Sequence, residues 1–182
     1  MHKLSRLVDG SWVQHSARPV FSLTPVGDVH RLTTVAPGGD SAPFTKLVLS
    51  MAEPYTLLYV LHTPRGEGEP GRYQSPELSA VDFQSFMSRF ASFLSSDARF
   101  DIWAHSRIDH GTVVWDRHNE LFAYGRLDRF VSEMKALGFE RGEIEGSAPH
   151  AHNYWPELDM DATALLSYWS WSHSPLQAED EQ

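Results

Sequence analysis

The sequence predicts an α+β fold, mainly an antiparallel β-sheet with two or three helices packed on one of its faces. Three observations carry that expectation. Strand-like segments follow one another without an intervening helix, in the order β-β-α-β-β-β-α with a further helix near the end, which is not the alternation of a parallel doubly wound sheet. Phe83, Phe86, Met87, Phe90, Phe93 and Leu94 recur at helical spacing. The stretch Arg99 to Ser106 alternates instead with period two, as a half-buried strand does.

The elements can be justified in chain order. Leu7 to Val13 has the form of a small hairpin turned by Asp9-Gly10, and Val29 to Val35 that of a short strand. Prolines 19, 25, 37 and 43 break the surroundings, so residues 1–43 are read as a β-rich N-terminal arm. The main body, 44–175, opens with Phe44 to Leu49, expected to be a strand. Tyr55 to Leu61 is a nearly continuous apolar run and is expected to be a central strand. Residues 63–78 hold three Gly and three Pro and are read as one long loop, a kind that is usually functional or mobile. A helix follows, with Ser79 as N-cap and Asp82 in its first turn. A meander is expected next: Arg99 to Ser106, Thr112 to His118, and Leu121 to Tyr124 after a tight turn at Asn119-Glu120. Leu127, Phe130, Val131, Met134 and Leu137 mark a second helix ended by Gly138. A last helix runs from near Asp159 or Asp161 to Trp169, and residues 176–182 form an acidic tail. The whole, 1–182, is read as a single domain.

Composition narrows the chemistry. The 182 residues include no Cys, so thiolate chemistry and disulfides are excluded. The net charge of −9 disfavours nucleic acid as a partner, because an acidic body repels phosphates. No stretch has the length and apolarity of a membrane span or a signal peptide, and the expected location is the cytoplasm.

Three groups of residues have the types that chemistry needs. If Phe100, Ile102, Ala104, Val113 and Trp115 face the helices, then Asp101, Trp103, His105, Asp116 and His118 share the opposite sheet face. Two pairing registers satisfy this, one with Trp103 opposite Val114 and the other with Trp103 opposite Asp116. Carboxylates, imidazoles and an indole on one rigid surface suit binding or acid–base work, although a solvated sheet face shows the same alternation. The second group is His150-Ala151-His152, which can present two imidazoles to one zinc ion, with Asp159 or Asp161 as a third ligand; both aspartates equally suit a helix start. The third is the 63–78 loop, where Arg65 and Arg72, with Tyr73 nearby, are placed to clamp an anion beside a helix N-terminus, or else to pair with Glu67 and Glu69. The Gly-x-Ser-x-Gly and dinucleotide-binding glycine motifs are both missing.

Two functional expectations follow. The first is a non-catalytic cytosolic module, of an immunity or adaptor kind, that binds another protein and carries no cofactor. The second is a small metal-dependent hydrolase, with zinc held by the His and Asp residues.

Overall fold

The computed structural model describes residues 1–144 and 149–180. The chain forms β1 (Leu4–Val8), β2 (Ser11–Gln14), β3 (Val20–Val26), β4 (Val29–Val35), α1 (Ala42–Leu49), β5 (Tyr55–Leu61), β6 (Gly71–Gln74) and α2 (Ala80–Ser96). It continues through β7 (Phe100–Ser106), β8 (Gly111–Trp115), β9 (Glu120–Tyr124), α3 (Leu127–Ala136), β10 (Glu140–Arg141), β11 (His150–His152), α4 (Asp159–Leu166) and β12 (Ser172–Ser174). Nine strands make one sheet in the order β10-β3-β4-β9-β8-β7-β5-β6-β12. Among the described residues only the β10–β3 pair is parallel. A second sheet has three strands, β11-β1-β2. The α+β class is therefore as expected.

One face of the large sheet is the core. Tyr59, Phe100, Ile102, Trp115 and Leu121 are all fully buried on it. The helices bring an aromatic layer down onto these residues: Phe44 of α1 lies 5.8 Å from Trp115, and Phe93 of α2 stacks 5.3 Å from Phe100. α2 starts where Ser79 accepts from the Asp82 N–H while the Asp82 carboxylate accepts from the Ser79 N–H, a reciprocal cap that satisfies two orphan donors.

The register of the meander is the first of the two anticipated, with Trp103 opposite Val114. Phe44–Leu49, expected to be extended, is helical. Phe44, Leu47 and Val48 bury at i, i+3 and i+4, and Asp40 accepts from the Ala42 N–H at 2.9 Å to start the turn. So short an apolar run fits either period, and packing decides it.

Residues 63–78 are not one loop, because β6 lies inside them. Gly71 reads as a breaker, but a Cβ there would fall 2.3 Å from His173 Nε2 and 2.7 Å from the Ser174 carbonyl. The glycine is what lets β12 approach this strand. Strand β3 passes through Pro25, which is tolerated because β10 pairs only with Val20 and Phe21 and leaves that edge open. The N-terminal arm is divided between the two sheets: β1 and β2 join β11, whereas β3 and β4 belong to the large sheet. Among the described residues no helix is long and apolar enough to cross a membrane.

Candidate metal centre

Three imidazoles from two separate elements meet beside the end of the large sheet. His118 comes from the turn between β8 and β9. Asp116 ties that turn: its Oδ1 accepts from the backbone N–H groups of His118 and Glu120 at 2.9 and 2.8 Å. Asn119 adopts a left-handed φ of 61° and accepts from the buried Trp115 indole at 3.2 Å. The other two imidazoles, His150 and His152, lie two residues apart on β11, so both project from the same side of one strand. Pairing of β11 with β1, with Leu4 opposite His152 and Arg6 opposite His150, holds them there.

A ligand nitrogen from each of the three lies within 4.8 Å of the others. The ring centroids are 4.8 to 5.3 Å apart. A tetrahedral zinc ion with Zn–N bonds of about 2.0–2.1 Å holds nitrogens roughly 3.4 Å apart, so modest ring rotations would close the set. His118 Nδ1 sits 3.1 Å from Asp116 Oδ2, the outer-shell carboxylate that commonly orients a liganding imidazole and leaves Nε2 to face the metal.

Electrostatics separate the three. The Asp116 hydrogen bond raises the pKa of His118 against the opposing effect of burial. Burial, reinforced by the His118 and His150 rings, pushes His152 down to about 4, so this imidazole is neutral and able to donate a lone pair near pH 7. Its buried Nε2 has no hydrogen-bond partner among the described residues.

His118 and His150 open onto a cavity of about 280 Å3 that is also lined by His15, Arg6, Arg18 and Glu120. The Glu120 carboxyl is raised from its ordinary value, first by burial and then by the nearby Asp116 charge. A half-buried carboxyl and an imidazole set on one wall are the parts from which metal-assisted hydrolysis is built.

The sequence-derived candidates divide accordingly. His118, His150 and His152 come together, although the sequence assigned them to two different groups. Asp159 and Asp161 do not join them: Asp159 accepts from Arg65 and Arg99 at 3.0 Å each, and Asp161 lies 3.9 Å from Arg89. The arginine clamp is not formed either. Arg65 is engaged by Asp159, while Arg72 makes a two-pronged pair with Asp180 at 2.8 Å. Tyr73 donates to the Glu69 carbonyl at 2.7 Å and lies against His173. The nearby α2 N-terminus receives the Asp82 and Glu53 carboxylates, so this chain already supplies its anions. On the sheet face, Asp101 pairs with His62 at 2.9 Å, and the exposed His105 sits 3.0 Å from Thr112.

Sequence reasoning missed Glu120, which it read as a turn residue, and also Lys3, His15 and Arg31. Nothing local marks Glu120 as functional; its role follows from the neighbours that β11 brings. The chain matches no protein-family model, no curated protein and no solved structure.

Proposed function

We propose that the protein is a small metal-dependent hydrolase with one zinc ion held by His118, His150 and His152. The observation that carries this reading is the convergence of three half-buried imidazoles, one of them fixed by a carboxylate and another kept neutral by burial. Three protein ligands leave a fourth position for water or substrate, the arrangement of catalytic rather than structural zinc. The metal would polarise a water or a substrate carbonyl or phosphoryl oxygen. Glu120, which lines the same cavity, is the group to take and return the proton, and burial raises its pKa in the direction that favours a proton carrier. Arg6 and Arg18 bias the cavity towards substrates with negative charge.

The test is zinc titration of the chelator-treated protein by calorimetry and thermal melting. One zinc per chain is expected, with a stabilisation of about 2.7 kcal/mol when zinc is present at 100 times its dissociation constant. His150→Ala should abolish both effects. Glu120→Gln should keep the zinc and lose hydrolysis of nitrophenyl esters or phosphodiesters. A wild-type protein that binds no zinc ends this reading.

A separate observation favours a protein-binding role. On the β1–β2 hairpin, Leu7 and Trp12 are opposite each other and are 56% and 58% exposed. An exposed apolar pair on a sheet-edge hairpin suits a protein partner, and the charge of −9 suits a basic one. If so, a partner retained by the wild type should be lost by Leu7→Ser/Trp12→Ser, with no change in melting temperature. Equal retention by the variant sinks it.

A further inference from the structure

The polar face of the large sheet borders a second cavity of about 420 Å3, which His118 also lines. Its floor follows from the register. Trp103, Val114 and Phe122 are aligned across β7, β8 and β9, so the apolar strip spans roughly 10 Å at ordinary strand spacing. Arg31 of β4 extends over one end, its guanidinium carbon 4.5 Å from the Phe122 ring centroid, and its Nη1 donates to the Tyr124 hydroxyl at 3.1 Å.

The hydrogen-bonding balance of this cavity indicates what it lacks. Of its four carboxylates, Asp180 is engaged by Arg72, Glu179 lies 3.8 Å from the same guanidinium, Asp101 is engaged by His62 and the Arg117 N–H, and Asp116 by the His118 turn. Two side-chain donors are not. The buried Arg31 Nε–H and the Trp103 indole N–H have no acceptor among the described residues. A shielded donor left unmade is costly, and both belong to residues lining the same cavity. The unpaired polar groups of the residues around this cavity are thus donors, and the floor is apolar.

We propose that this cavity binds a small organic acid with a flat apolar body, its carboxylate on Arg31 and its body over Trp103, Val114 and Phe122. A guanidinium already held by an aromatic face and a hydroxyl is pre-set for a carboxylate, and the flat strip excludes water from the rest. The site does not depend on the zinc reading.

The test is calorimetric titration of the metal-free full chain with benzoate and phenylacetate, with benzamide as the uncharged control. Benzoate should bind at least about tenfold more tightly than benzamide, the change expected for one charge-assisted contact. Arg31→Gln should erase that difference. Val114→Trp should block both compounds by filling the floor, which keeps the test decisive should Arg31→Gln fail to fold by circular dichroism. His150→Ala should bind benzoate like the wild type, so loss of zinc and loss of the acid are scored separately. The proposal is overturned if neither acid binds at millimolar concentration, if benzamide binds as well as benzoate, or if folded Arg31→Gln binds benzoate unchanged.

Discussion

Lys3 has surroundings unusual for its type. Its ammonium is fully buried, has no hydrogen-bond acceptor among the described residues, and lies 4.2 Å from the Trp115 ring centroid and 4.7 Å from that of Phe100. Burial lowers its pKa from 10.5 to about 8, although Asp116, Asp101 and Asp97 act in the opposite direction. The folded value lies below the unfolded one, so between pH 8 and 10.5 the unfolded chain binds more protons, and stability from this group rises with pH. The rise is on the order of 3 kcal/mol. Lys3→Met should lack it and should be the more stable protein at pH 7, because the rings remain packed and the desolvation cost disappears. Urea unfolding of both proteins at pH 7 and pH 10 checks this. A variant less stable at pH 7 would mean that the ring contacts and distant carboxylates outweigh burial.

Among elements, the short turn at residues 37–39 shows how closely the backbone is fitted. Gly39 has φ +85°, and a Cβ there would lie 2.2 Å from the Ser95 carbonyl of α2. Gly39→Ala should therefore cost well over about 1 kcal/mol, from the forbidden φ and the helix displacement together. Guanidinium unfolding measures it, and a cost of a few tenths would show that the turn can move aside. Elements were legible in the sequence where the pattern was long. The α2 stripe and its Ser79 cap were clear, as were the β7 alternation and the Asp9-Gly10 turn, where φ is +48° and +79°. Illegible were the elements whose existence depends on a distant partner. β11 is three residues long and is a strand only because β1 lies beside it. For the same reason the sequence could show the His-x-His spacing but not the third imidazole beside it, His118, which is 32 residues upstream of His150 in a turn of the other sheet.

For the whole molecule, one buried cation ties together segments far apart in sequence. Arg99, fully buried, donates to Asp97 at 2.8 Å, to Glu67 at 3.1 Å and to Asp159 at 3.0 Å. It thereby joins the start of β7, the loop before β6 and the N-terminus of α4. Its pKa is raised: burial alone would lower it, but the Asp97 and Glu67 carboxylates outweigh that. Removing one partner leaves a charge in the interior, so Asp97→Ala should cost about 3–5 kcal/mol. By contrast, Glu77→Ala, which breaks the exposed 3.2 Å pair with Arg107, should cost under about 1 kcal/mol. Comparable losses in the two variants, measured by chemical denaturation, would show that Arg99 is not the tie.

The position of the histidines would give a metal bound as proposed a mechanical meaning. His150 and His152 belong to the three-stranded sheet, and His118 to a hairpin of the nine-stranded one. An ion shared among them, as proposed, would be a rivet between two separately hydrogen-bonded sheets. Strand β1 is laced to β11, and the buried Lys3 and Leu4 tie the same segment to the core, so such an ion would add to contacts already present. Withdrawing it would free the His118 turn from β11 and leave those other contacts in place.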